Sequence, residues 1–173
     1  MLKITNELRQ NPRYFSNVNE VIVERSDFDL ERLESAEKLT VEEAFVPCPV
    51  KKGDELYPNG IFVFNITKML ESIRDNNDKI ELVEVTVADF PREFSSIDEE
   101  HVDSVDVSQS VLLAEISPGR YNLIDGNHRM DKARKMGVSH ILAYKLNVKQ
   151  HIAFLTDRKA YITYIEYWNE KLE

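Results

Sequence analysis

Apolar and polar positions alternate with two different periods around residue 125. Residues 121–124 form an apolar run with the period of two that is typical of a β-strand. The run ends at the turn-forming pair Asp-Gly at residues 125–126, and Asn127 is predicted to cap a following helix. Apolar positions then recur at helical spacing until Gly137, and a second apolar run occupies residues 141–144. The pattern predicts a strand, a polar loop, a helix and a strand.

The rest of the chain mixes the same two periods. It predicts a capping box at 26–29 with a helix behind it, strands at 61–64, 80–87 and 111–116, a helix capped by Asn65, a helical segment at 148–155 and a final helix at about 159–170. We therefore predict one α+β domain with a small mixed β-sheet and flanking helices. Residues 1–60 form an N-terminal extension of this domain, in which 47–60 resembles a linker.

A turn signal at residues 117–120 predicts a hairpin between the strands 111–116 and 121–124. Facing pairs in this register are Ile116 with Tyr121 and Leu112 with Asp125. Gln109 and Ser110 should therefore lie beside the polar loop, whereas Glu115 lies roughly 10 Å away and is discounted as a catalytic group. The helix after the loop predicts a crossover that makes strands 121–124 and 141–144 parallel.

Composition limits the class of protein. The 173 residues are 42% hydrophobic and 31% charged, which suits one domain with a real core. No apolar run approaches the ~20 residues of a membrane span and the N-terminus resembles no secretion signal, so we expect a cytoplasmic protein without membrane contact. The single Cys48 excludes an internal disulfide.

The net charge of −9 is unevenly distributed. From residue 116 onward, ten Lys and Arg against six Asp and Glu give +4, whereas the first 115 residues hold twelve basic and twenty-five acidic groups, or −13. Such an acidic surface repels a nucleic-acid backbone, although a local basic patch can still hold one nucleotide. Two solvated faces explain the asymmetry equally well.

The loop at residues 125–129 has the composition of a phosphate site. A glycine-containing loop at a helix start presents unpaired N–H groups and the positive end of the helix dipole. Arg129 can add a bidentate contact, His128 can donate to the phosphate or bind a metal, and Asp125 can accept from a hydroxyl or hold Mg²⁺ through water. The competing interpretation is an ordinary strand-to-helix turn with a surface arginine.

At these residues the chain resembles the ParB/sulfiredoxin superfamily. Sulfiredoxins carry Gly-Gly-Cys-His-Arg in this loop, relatives that phosphorylate free serine carry Asp-Gly-His-His-Arg, and ParB has Gly-Glu-Arg-Arg before an alanine-bearing helix. The serine-kinase form is the best match, since only Asn127 differs from it. The sulfiredoxin pattern shares Gly126, His128 and Arg129, and the ParB pattern shares Gly126, Arg129 and Ala133. The resemblance covers about residues 61–155 and implies a ParB/sulfiredoxin-like fold for that core. The segment 109–113 resembles the Gln-Pro-Ile-x-Val strand of that family, with Ser110 in place of proline.

The resemblance implies a nucleoside triphosphate, ATP or CTP, bound with Mg²⁺ at residues 125–129 and flanked by Gln109 and Ser110. Sulfinic acid reduction is excluded, because it needs a thiolate where this chain has Asn127. For phosphoryl transfer the candidate catalytic groups are Asp103 or Asp106, with His101 also considered, and His128.

Two classes of function follow. One is an ATP-dependent phosphotransferase or NTPase that acts on a small hydroxyl acceptor. The other is a non-catalytic module that senses a nucleotide and binds a protein partner. DNA binding through Lys132, Arg134 and Lys135 is a weaker form of the second class. An aromatic stripe in the final helix, Tyr161, Tyr164 and Trp168, is interpreted as core rather than as a base-stacking surface.

Overall fold

The computed structural model describes residues 25–91 and 104–173. In chain order its elements are α1 (Leu30–Ser35), β1 (Leu56–Asn59), β2 (Phe62–Asn65), α2 (Ile66–Asp75), β3 (Glu81–Thr86), β4 (Val111–Ser117), β5 (Arg120–Asp125), α3 (Asn127–Lys135), β6 (His140–Leu146), α4 (Val148–His151) and α5 (Arg158–Glu170). Short 3₁₀ turns follow α2, β3 and α4. The chain is thus α+β, as its sequence predicts.

The main sheet has four strands in the order β3-β6-β4-β5. β4 is parallel to β6 and antiparallel to β5, and β3 is antiparallel to β6, so the sheet is mixed as predicted. The predicted parallel relation between strands 121–124 and 141–144 is wrong. β6 lies on the far side of β4 from β5, so its parallel neighbour is β4 and it runs antiparallel to β5. Every residue of β4 is buried, because this strand is covered on both faces.

The β4–β5 register differs from the prediction at one end and agrees at the other. Tyr121 faces Glu115 and not Ile116, because Ile116 is an extra residue on β4. A second bulge lies on β5, where Ile124 is the extra residue. It restores the predicted pairing of Leu112 with Asp125. Two opposed bulges therefore cancel, and the polar loop lies where an unbulged hairpin would place it.

The segment interpreted as a linker, residues 47–60, ends in a strand. β1 pairs with β2 in an antiparallel hairpin, and Asn59 faces Phe62 across the turn. The sequence prediction missed β1 because Pro58 and Asn59 are turn-type residues, yet Pro58 is tolerated in a two-stranded edge hairpin. Asn65 caps α2 as predicted, and its side chain accepts a hydrogen bond from Lys68 N at 3.1 Å.

Residues 25–29 tie the first helix to both edges of the main sheet. Phe28 forms an isolated bridge with Arg120 of β5, while Ser26 Oγ accepts from Thr86 N at the end of β3 at 2.8 Å. The helix cap is Asp29, which accepts from Arg32 N, so the predicted cap at Ser26 is wrong. Ser26 is instead engaged in this long-range contact.

Two apolar clusters cover the two faces of the sheet. One packs α2, α5 and β2 against β4, and the other packs α3 against β3, β4, β5 and β6. The aromatic stripe of α5 belongs to the first cluster, where Tyr164 and Trp168 are almost fully buried, so the core interpretation is confirmed. Among the described residues no helix is both long enough and apolar enough to cross a membrane.

Candidate functional site

The loop between β5 and α3 is built around a glycine in the left-handed conformation. β5 ends at Asp125, Gly126 has φ 96° and ψ 23° as the N-cap residue, and α3 begins at Asn127. The N-cap residue of this helix is Gly126, which has no side chain to cap it, so the prediction that Asn127 is the cap is wrong. Within the described residues the first turn of α3 therefore presents backbone N–H groups that its N-cap residue leaves uncapped, which is the feature of helix starts that bind anions.

Gly126 is required here for two reasons. Its positive φ disfavours any residue with a Cβ, and a Cβ would lie 2.6 Å from Cγ1 of Val111 on β4. The loop consequently packs directly on the start of the central strand. This close approach fixes the loop relative to the sheet.

Asp125 and Arg129 form an ion pair across the loop. Arg129 Nη2 donates to Asp125 Oδ2 at 2.7 Å, and the two side chains are only 16% and 17% exposed. Within residues 25–91 and 104–173, each side chain has the other as its single hydrogen-bonding partner. A guanidinium has five N–H donors, so Arg129 keeps most of its capacity for an incoming acceptor.

The other predicted ligands lie at the same place. Asn127 and His128 are half-buried in the first turn of α3, and His128 Nε2 is shielded from solvent. Gln109 is exposed and Ser110 half-buried, and they directly precede Val111, the residue that touches Gly126. The structure therefore brings together the predicted phosphate-binding residues.

The candidate catalytic acids are less well placed. Asp106 is exposed, and its carboxylate accepts a hydrogen bond from Ser108 N at 2.9 Å. Hydrogen bonds from Ser108 hold the pKa of Asp106 below its usual value, with a smaller contribution from the charge of Lys132, so it is a weaker base than an ordinary aspartate. Asp103 and His101 lie outside the described residues.

The basic side chains of α3 contact the protein itself. Lys132 Nζ donates to Val105 O at 2.7 Å, and Arg134 donates to Phe90 O. Lys135 lies 3.7 Å from Asp131. Lys132 and Arg134 therefore hold backbone that flanks residues 92–103, which is neither the DNA contact nor the purely solvated surface that their spacing on the helix allows.

Asp131 is an acidic residue of α3 that the sequence interpretation passed over. It is 3% exposed and lies 3.4 Å from Arg134 Nη1. The signal in the sequence for its burial was its position between Met130 and Lys132, at the border of the apolar stripe. These contacts make it a buried anchor for the basic residues of the helix.

Glu115 was discounted as a catalytic group, and the structure gives it a structural role. Its carboxylate is fully buried and accepts from Arg32 Nη2 at 2.9 Å, Gly119 N at 3.1 Å and Val148 N at 3.2 Å. Its backbone oxygen accepts from Tyr164 Oη and faces His151 Nε2, each at 2.7 Å. We call these groups the Glu115 cluster: Glu115, Arg32, Gly119, Val148, His151 and Tyr164.

A magnesium ion, which the family resemblance implies, has one candidate ligand in the loop. In the described part of the chain no three His, Cys, Asp or Glu side chains are grouped to hold a metal. Mg²⁺ bound to a nucleotide commonly uses one or two carboxylates, with phosphate oxygens and water as its remaining ligands. Asp125 fits that mode, because one of its oxygens has no donor among the described residues.

Comparison with protein-family models gives no match for this chain, and comparison with curated protein sequences gives none either. The geometry of the loop is therefore the basis for a functional proposal.

Proposed function

We propose that the chain binds ATP or CTP through residues 125–129 and transfers or releases its terminal phosphoryl group, with a small hydroxyl compound or water as acceptor. The observation that supports this best is the uncapped start of α3 at Gly126, with the Asp125–Arg129 pair directly beside it. Backbone N–H donors, the positive end of a helix dipole and a guanidinium then occur together in one short segment, a combination that suits phosphate recognition.

The roles of the residues follow from their chemistry. Arg129 neutralises charge on the phosphates, and the N–H groups of the first turn of α3 orient them. Magnesium, when bound with the nucleotide and held by Asp125, neutralises charge between the phosphates. Gln109 and Ser110 border the loop and offer neutral hydrogen bonds to the ligand. Phosphoryl transfer depends mainly on such positioning and charge neutralisation.

Calorimetry with ATP and CTP tests the binding step. Arg129→Ala should reduce affinity at least roughly 10-fold, since charge-assisted hydrogen bonds contribute about 1.5–3 kcal/mol. Lys135→Ala is the matched control, because it removes a cation from the same helix at a 44% exposed position beyond the loop. Absence of nucleotide binding in the wild type, or equal binding by Arg129→Ala, contradicts the proposal.

Turnover separates the enzyme from the second candidate, a nucleotide-sensing module with a protein partner. The module is favoured by one observation: Asp106, the described candidate base, is exposed and already hydrogen-bonded to Ser108. A phosphate-release assay with a panel of small alcohols should show consumption that Asp103→Asn or Asp106→Asn abolishes. Binding without release for any acceptor would leave the module.

The DNA-binding form of the module is less favoured. Lys132 and Arg134 are engaged with carbonyl oxygens of the protein, which leaves Lys135 as the cation of this face with the weakest contact. If DNA does bind, the affinity should fall steeply with salt and should fall again in the triple variant Lys132→Gln, Arg134→Gln, Lys135→Gln. Equal binding by that variant, or no binding at low salt, removes this form.

A further inference from the structure

The Asp125–Arg129 pair takes up one N–H group of the guanidinium that the proposed function assigns to phosphate. A carboxylate and a phosphate both present pairs of anionic oxygens that accept hydrogen bonds from the same guanidinium N–H donors. The two side chains are more than four-fifths buried, so the pair is screened less than a surface pair. A phosphate that takes full hold of Arg129 must therefore displace or share the bond from Asp125.

Displacement of Arg129 costs free energy at its partner, Asp125. Asp125 accepts from Arg129 alone among the described residues, so a complete loss of that bond leaves a largely buried carboxylate without a partner. A buried, unpaired charge is strongly unfavourable. A divalent cation delivered with the phosphates removes that cost, because the freed oxygens of Asp125 are hard ligands of the kind Mg²⁺ prefers.

From this we infer that Asp125 is a specificity-determining latch: it holds Arg129 in the ligand-free protein, disfavours metal-free phosphates, and exchanges Arg129 for the cation when a magnesium–nucleotide complex binds. This inference rests on the proposed function. It goes further by naming the residue that selects the metal-complexed nucleotide over the metal-free one, and the exchange of partners by which it does so. Thermodynamic linkage then requires that magnesium and nucleotide each strengthen the binding of the other.

The test is calorimetric titration of ATP into the wild type, Asp125→Asn and Asp131→Asn, each with excess Mg²⁺ and each with EDTA. Asp125→Asn should bind metal-free ATP about 5-fold more tightly than the wild type, since the competing ion pair is gone. The same variant should lose the gain that Mg²⁺ gives the wild type. Asp131→Asn removes an equal charge from the helix that carries Arg129, and Asp131 is paired with Arg134 and Lys135 instead, so the metal dependence of this variant should match the wild type.

Three outcomes are decisive. If Asp125→Asn and Asp131→Asn change metal-free binding equally, the effect is general repulsion and the latch is wrong. If the wild type binds metal-free and metal-complexed ATP equally, the latch is also wrong, while the proposed function stands. If no variant binds ATP under either condition and none binds CTP in the same titration, the proposed function fails and the latch fails with it. Circular dichroism of each variant establishes that it is folded.

Discussion

The β4–β5 hairpin carries an arginine–carboxylate pair near each end, and the two pairs differ in how much of their bonding capacity the protein uses. At one end, Glu115 is fully buried and satisfied by Arg32 and two backbone N–H groups. At the other, Asp125 and Arg129 have each other alone within the described residues.

This difference shows how a charged residue that stabilises the fold can be told from one that is available to a ligand. The Arg32–Glu115 pair joins residues 83 positions apart in the chain, so it fixes α1 against the sheet. The Asp125–Arg129 pair joins residues four apart within one loop, so it fixes little beyond that loop. A buried charge whose hydrogen bonds are complete holds a fold together, whereas a largely buried charge with spare capacity is available to a ligand.

Removal of the Glu115 carboxylate should destabilise the fold strongly, whereas removal of the Asp125 carboxylate should destabilise it little. We expect Glu115→Ala to lower the free energy of unfolding by about 3–5 kcal/mol, because it leaves Arg32 facing a buried void and frees two N–H groups. Asp125→Ala should cost about 1 kcal/mol, as expected of a local pair that is not fully buried. Urea denaturation measures both. Equal losses in the two variants would contradict the assignment of separate roles.

A fall in pH should lower the folding stability of the protein through His151, a member of the Glu115 cluster. Burial lowers the pKa of His151 from its ordinary value of 6.5 to about 4, even though its contact with the Glu115 carbonyl opposes the shift. Between pH 6.5 and about 4 the unfolded chain binds a proton that the folded protein does not, so stability falls as the pH falls through this window. From pH 6.5 to pH 4.5 the loss from this group is about 2 kcal/mol.

His151→Gln isolates that contribution, since the amide can still donate to the Glu115 carbonyl while it does not titrate. Its free energy of unfolding should depend on pH less steeply than that of the wild type over the same interval. His140→Gln is the control, because it makes the same substitution at an exposed position of β6, outside the Glu115 cluster. An identical pH dependence in His151→Gln and the wild type would show that His151 is not held neutral by the cluster.

Two glycines with nearly equal φ angles test whether the loop packs on β4. Gly126 has φ 96° and Gly53 has φ 95°, but a Cβ at Gly126 meets Val111 at 2.6 Å whereas a Cβ at Gly53 meets nothing within 4 Å. Gly53→Ala should therefore show the conformational cost alone, about 1 kcal/mol. Gly126→Ala should cost a further 1–3 kcal/mol from overpacking, measured by the same urea titration. Equal costs would mean that the loop does not pack on β4 as described.

The comparison also shows which parts of the structure a sequence can reveal. Asp-Gly at the end of an apolar run and a helical pattern behind it are local signals, so the order of β5, loop and α3 was predictable from residues 121–137. The α+β class and the mixed sheet follow from the same kind of pattern. The pairing of Asp125 with Leu112 agreed with the prediction only because two bulges cancel, and nothing local to Ile116 or Ile124 signals them.

Long-range contacts could not be predicted from the sequence, and the reason is physical. Glu115 sits within an apolar run, and its partner Arg32 lies in a different element, so the burial of this charge depends on tertiary contacts that periodicity does not encode. The same holds for Lys132 and Arg134, which have the spacing of a solvated face but contact carbonyl oxygens of distant residues. The strand β1 was missed because Pro58 and Asn59 carry turn chemistry into a paired strand.

Backbone amide NMR during titration with magnesium–ATP tests the central claim most directly. The account predicts that the largest and saturable shifts occur at Gly126, Asn127, His128 and Arg129, because the N–H groups of this turn meet the phosphates. Residues around Glu115 should shift little, since the Glu115 carboxylate already accepts three hydrogen bonds. Saturable shifts centred elsewhere, or no shifts at the loop at millimolar nucleotide, would contradict the claim that this loop is the nucleotide site.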